Sequence, residues 1–251
     1  MRVLVFAAVA LFSHGALAEG RYLPPAASAA ALAGIDFDGK AIGGKFRARF
    51  SECDTRNTCD GKSLKYNRGA DPNRNSTLLQ LTNGAIFYDG KMGLDADGSA
   101  LSRKTPGPTD QAATSLRYPL AGKPSLDADR VPYVVIPLGG FDKALGVRLG
   151  DVAAVVHGGK RVFAVIADRG PSCKIGEGSM QLHELLGHPV CASRADNGDC
   201  LKLRNAGIGG DVLYFLFPGT RKDIYPGLTP ENINARIEAV GARAWAALQA
   251  R

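Results

Sequence analysis

Beyond residue 18, this 251-residue chain has no apolar run long enough to cross a membrane, for which about 20 residues are needed. It has no Lys/Arg cluster with interleaved aromatics, so nothing in it suits nucleic acid. The histidines of that region, His157, His183 and His188, form no metal-ligand pattern, and the cysteine spacings do not suit a zinc ribbon. No internal repeat is present. The single Trp, Trp245, lies on an amphipathic stretch, which assigns it to packing rather than to a sugar platform. No cofactor, metal, nucleic acid or membrane partner is expected, and the chain is expected to be a monomer.

The opening segment MRVLVFAAVALFSHGALA has one Arg, a mostly apolar stretch and the ending A-L-A, the pattern of a secretory signal peptide cleaved near Ala18. No Cys lies near that point to take a lipid anchor. A soluble secreted protein, extracellular or periplasmic, is therefore expected. The anticipated division is signal peptide 1–18, an Ala-, Pro- and Gly-rich arm 19–44, and one catalytic domain 45–251. The net charge of +7 reads as a solvated basic surface. Five cysteines fit an oxidising compartment. Cys53 with Cys59 and Cys191 with Cys200 would each close a small loop, leaving Cys173 over.

With 31 Gly and 14 Pro, the chain favours turns and short strands over long helices. Residues 45–50, KFRARF, read as a short strand. Further strands are expected at 85–88, 133–137, 151–156, 161–167 and 211–217. His157-Gly158-Gly159-Lys160 between two apolar runs signals a hairpin. Ser179 before MQLHELL and Gly187 after it read as the cap and stop of a helix. A second helix should begin at Thr229, with Pro230 first and Glu231 in its first turn. Ile233, Ile237, Val240, Ala244 and Leu248 would form its buried face.

The stretch VFAVIADRGPSCKIGEGSMQLHELLG carries the candidate chemistry. Asp168 ends a buried strand ahead of an Arg-Gly-Pro turn; burial would raise its pKa and Arg169 would lower it. Read alone, it could simply hold turn amides. Glu177 lies between two glycines, which let backbone approach a ligand, yet it could merely favour a helix start. Together, two carboxylates aimed into one cleft are the equipment of glycoside hydrolysis. Asp89, Asp95 and Asp97 in YDGKMGLDADG form a third acidic group. The D-x-D-G spacing is like that of calcium loops, but the twelve-residue ligand pattern is absent, and an acidic patch suits a cationic sugar better.

The blocks FYDGKMGLDADG, VPYVVIP, AVIADRGP and IGEGSMQLHELLG, in this order over residues 85–187, resemble those of glycoside hydrolase family 75, the fungal-type endo-chitosanases. The resemblance implies Asp168 and Glu177 as the catalytic carboxylates and endo-hydrolysis of chitosan β-1,4 bonds with inversion. Glu177 would be the acid, and Asp168, beside Arg169, the base. Tyr88, Asp89, Lys91, Asp95, Asp97 and Arg169 would bind substrate. The chain departs from the family pattern at Gly93, usually acidic, and at Ala96, often Cys. VFAVIADRGP followed by LHELLG also resembles the signature stretch of double-psi β-barrels of the expansin-like and rare-lipoprotein-A-like kind. That implies a mainly β fold: a small six-stranded, double-psi-like barrel with peripheral α-helices. It also leaves a second function open, a peptidoglycan-binding or lytic envelope protein. A purely structural envelope protein is the third.

Overall fold

The computed structural model describes residues 22–63, 77–105, 111–204 and 207–250; the expected signal peptide lies outside them. The strands are β1 Gly39–Ala41, β2 Thr58–Cys59, β3 Lys62–Ser63, β4 Thr77–Leu81, β5 Ile86–Asp95 and β6 Tyr133–Pro137. They continue with β7 Val152–His157, β8 Lys160–Gly170, β9 Glu177–Ser179, β10 Cys191–Arg194, β11 Cys200–Leu203 and β12 Ile208–Phe217. The helices are α1 Gly44–Ser51, α2 Ala100–Lys104, α3 Phe141–Leu145, α4 Met180–Leu185, α5 Arg221–Ile224 and α6 Ile233–Gln249. The main sheet runs β1-β4-β5-β12-β7-β8-β6-β9, and a further pairing of β5 with β9 closes six of its strands into a barrel. The expected mainly β barrel with peripheral helices is what the chain forms.

Strand periodicity divides the apolar side chains between two faces. On β7, Val152, Ala154 and Val156 join the cluster that includes Ile237 and Trp245 of α6. Ala153 and Val155 join the cluster that includes Phe46 and Phe50 of α1. Both faces are covered, so β6 and β7 read in sequence as unbroken apolar runs rather than as alternation. The hairpin between β7 and β8 pairs His157 with Lys160. Its two loop residues, Gly158 and Gly159, both have positive φ, as a primed turn requires. Ser179 caps α4 by accepting the Leu182 N–H at 3.1 Å. Trp245 is buried and packs edge-on against Phe215 at 5.2 Å.

Several local expectations give way to tertiary structure. KFRARF is helical, not a strand: Phe46 and Phe50 are buried one turn apart, while Ala48, their partner in any two-residue alternation, is exposed. Burying each ring contributes on the order of 2–3 kcal/mol, which decides between two periods that this short segment fits equally well. The regular part of the last helix is Ile233–Gln249, preceded by a turn at Thr229 in which the Asn232 side chain accepts from Thr229 N–H, as in a capping box, and Ile233 N–H bonds the Thr229 carbonyl at 3.1 Å. The cysteines pair as Cys59–Cys173 and Cys191–Cys200, and the buried Cys53 belongs to neither disulfide. Cys59 and Cys173 are 114 residues apart in sequence, so no local loop argument reveals that bond. Within residues 22–43, Leu32, Ile35 and Phe37 are buried in the core, and β1 pairs with β4.

Candidate active site

Two parallel pairings build the site. β8 runs alongside β6, with Val135 opposite Asp168 and Pro137 opposite Gly170. This pairing carries the strand past Ala167, where the apolar run stops. Ala167 is skipped between the Ile166 and Asp168 pairs, a bulge that re-aims the chain just before Asp168. β9 runs alongside β5, with Gly93 opposite Glu177 and Asp95 opposite Ser179. β5 is thereby extended to Asp95, and Asp95 and Glu177 come to one edge of the barrel.

The glycines around Glu177 serve this pairing rather than a ligand. Gly176 has φ +92°, and a Cβ there would stand 2.1 Å from the Lys91 carbonyl oxygen of β5. A Cβ on Gly178 would stand 2.8 Å from Leu182 and 3.1 Å from Met92. Only glycine lets β9 sit between β5 and β6.

A cleft of about 300 Å³ opens at this edge. Asp95, Asp97 and Gln111 line it together with Leu94 and Leu138. Arg169, Gly170, Pro171, Lys174 and Glu177 complete the lining. Carboxylate oxygens of Asp95, Asp97 and Asp168 lie within 4.8 Å of one another, and all three residues are buried. Neutral donors hold them: Asp97 N–H donates to Asp95 Oδ1 at 2.7 Å, and Gln111 N–H to Asp97 Oδ1 at 2.6 Å. Asp168 Oδ1 accepts from Ser115 N–H at 3.1 Å, Ser115 Oγ at 2.5 Å and Arg169 N–H at 2.7 Å. Asp168 Oδ2 is buried with no hydrogen-bond partner among the described residues.

Burial raises the Asp168 carboxyl above its ordinary value, and the donated hydrogen bonds offset this only in part. Asp95 is raised well above the carboxylate range, first by burial and then by the charges of Glu177, Asp97 and Asp168. Arg169 does not hold Asp168 ionised as its sequence position suggests. Its guanidinium is committed to Asp142 of α3 at 3.1 Å. Glu177 is paired with Lys174, and both side chains are almost wholly buried. Lys174 sits on the turn closed by its own N–H to Pro171 O, next to the disulfide-bonded Cys173.

The structure thus brings Asp95, Asp97, Asp168, Arg169 and Glu177 together. It does not bring Tyr88, Asp89 and Lys91 to the same cleft. Tyr88 is buried and stacked on Tyr214 at 4.4 Å. Asp89 accepts from Tyr22 Oη at 2.7 Å. Lys91 is buried, its ammonium 3.4 Å from the Cys53 carbonyl oxygen. Sequence reasoning missed Gln111, Ser115 and Lys174. Lys174, three residues before Glu177 in SCKIGEG, had a visible local signal; the other two reach the site through an irregular segment and had none.

A model of the family described as fungal chitosanase of glycosyl hydrolase group 75 matches residues 92–244, more than half of the chain. The match begins just after Tyr88, Asp89 and Lys91 and includes every residue of the acidic cleft. No curated protein matches the sequence.

Proposed function

The chain belongs to glycosyl hydrolase group 75, the fungal chitosanases, and from that premise we propose that it is a secreted, monomeric, endo-acting enzyme that cleaves chitosan β-1,4 bonds with inversion. It is a glycoside hydrolase with a polysaccharide substrate. The observation that carries the proposal is that Glu177 of one strand lines a cleft with Asp95 and Asp97, whose carboxylates cluster with that of the buried Asp168 of another strand. One carboxyl group of the pair protonates the leaving oxygen, and the other takes a proton from the attacking water. Asp95 and Asp97 suit the ammonium group of a glucosamine unit, and Leu94 and Leu138 offer apolar surface to a sugar ring.

Inversion needs room for a water between base and anomeric carbon, with carboxyl groups roughly 6.5–9.5 Å apart. β8 and β9 flank β6. Two inter-strand gaps of about 4.8 Å separate their backbones, which supports that wider spacing over a retaining pair. The two disulfides fit a protein that works outside the cytoplasm.

The test is incubation with chitosans of several acetylation degrees and with peptidoglycan, reading product masses and the first anomer by proton NMR. Oligomers from low-acetylation chitosan, appearing first as α-anomers, are expected. Muropeptide release, or an initial β-anomer, would overturn the substrate or the stereochemistry respectively.

A further inference from the structure

The cleft holds its carboxyl groups in two different electrostatic settings. Glu177 has a cation of its own. The Lys174 ammonium is paired with Glu177 Oε1, and the side chains are 6% and 9% exposed. A desolvated carboxylate and ammonium each keep the other charged, since removing either leaves an uncompensated buried ion. The arrangement is rigid: Lys174 lies on a tight turn beside Cys173, which is covalently tied to Cys59.

The other three carboxyl groups accept from neutral donors, Asp97 N–H, Gln111 N–H, Ser115 and Arg169 N–H, and their oxygens crowd within 4.8 Å. Among the cations near the cleft, Arg169 is taken by Asp142 and Lys91 by the Cys53 carbonyl. Tyr133 of β6 donates to the Asp97 carbonyl, and Tyr214 of β12 donates to the Lys91 carbonyl. Carboxylates this close do not all ionise together, so the group retains a proton. Asp168 Oδ1 is already filled by three donors, while Oδ2 has none among the described residues.

We propose that Lys174 is a positioning residue that fixes Glu177 as a carboxylate, so that Glu177 is the base and the acid is the proton held by Asp168 with Asp95 and Asp97. The proposal rests on the reading of Asp168 and Glu177 as the catalytic pair, and it reverses the roles suggested by sequence position. In the step, Glu177 removes a proton from water as the water oxygen bonds to the anomeric carbon. The bond from that carbon to the leaving oxygen breaks, and its electron pair takes the proton from the aspartate group. Glu177 ends protonated and the aspartate group one proton short, and exchange with solvent restores both.

The sign of a pH shift decides the matter. Removing a neighbouring cation makes a carboxylate easier to protonate. In Lys174→Met, the acidic limb of the kcat/KM profile on glucosamine oligomers should move up by about one pH unit or more, with the alkaline limb unmoved. Lys174→Arg should restore the profile. Movement of the alkaline limb instead would make Glu177 the acid, and movement of neither limb would remove Lys174 from the mechanism. A second readout needs neither turnover nor the Met variant. Carboxyl-carbon NMR of the unaltered protein, with Glu177 assigned by difference from Glu177→Gln, should show Glu177 ionised at a pH where the aspartate group still binds a proton. The reverse order overturns the proposal even if the protein hydrolyses chitosan. Absence of hydrolysis with the expected order would instead overturn the substrate reading alone.

Discussion

Gly170 and Glu177 touch across the cleft wall: a methyl group on Gly170 would stand 2.9 Å from Glu177 Oε2 and 3.2 Å from Val135 Cγ1. Gly170→Ala should therefore move the Glu177 carboxylate without changing any ionisable group. We expect kcat to fall about tenfold to a hundredfold, the usual cost of a displacement near 1 Å. Overpacking should lower stability by roughly 1–3 kcal/mol. Steady-state kinetics and thermal melting check this; unchanged kcat would mean that the Glu177 position is not critical.

Asp168→Asn and Glu177→Gln should each reduce turnover by on the order of a hundred- to ten-thousand-fold, the range for losing a general acid or base. Circular dichroism should show both folded. Near-normal turnover in either variant removes that residue from the catalytic pair.

Asp95→Asn should stabilise the protein at neutral pH. The Asp95 carboxyl is raised well above its ordinary value in the folded state, so its contribution to stability is full below about pH 3.9 and declines as pH rises through the raised value. Asn cannot ionise and can still accept from Asp97 N–H. A gain on the order of 1–2 kcal/mol, about 2–8 °C in Tm, should appear near pH 7 and vanish toward pH 3. Calcium should leave both melting curves unmoved; a calcium-dependent rise that is lost in the variant would assign the cluster to a metal.

His183 is fully buried, its Nδ1 3.0 Å from the Ser179 carbonyl oxygen, and burial lowers its pKa to about 4. The unfolded chain binds this proton near pH 6.5, so stability should be lost as pH falls from about 6.5 toward 4. That slope, worth about 3 kcal/mol in total, should flatten in His183→Asn. Chemical denaturation at several pH values measures it, and equal slopes in the two proteins would contradict the assignment.

Replacing both Cys59 and Cys173 by Ser should cost more stability than replacing both Cys191 and Cys200. Sequence separations of 114 and 9 residues correspond to about 5 and about 2–3 kcal/mol of chain entropy. Melting curves compare the two. Peptide mapping without reduction should recover Cys59 linked to Cys173; a Cys53–Cys59 peptide would refute the pairing.

Local chemistry was legible from the residues alone. The Gly158-Gly159 hairpin, the Ser179 cap and the apolar face of α6 depend on neighbours within a few positions, and each formed nearly as its pattern dictates. The order of the acidic blocks was enough to indicate the family. Residues 45–50 mark the limit of such reading, because Phe46 and Phe50 satisfy both a two-residue and a four-residue period, and only the surface they cover selects the helix.

What the fold decided is which charges meet. Nothing local extends β5 to Asp95 or β8 to Gly170; the parallel pairings with β9 and β6 do that, between segments some 30 to 80 residues apart in sequence. Those pairings separate Tyr88, Asp89 and Lys91 from the cleft, although they belong to the same sequence block as Asp95. They also draw Ser115 and Gln111 into it from a segment with no pattern of its own. The tie of Cys59 to Cys173 and the ion pair of Lys174 with Glu177 follow from the same closure. Residue types set what each group can do. Whether a carboxyl group enters the reaction charged or protonated depends on burial and on its neighbours, and those exist only once the barrel has closed.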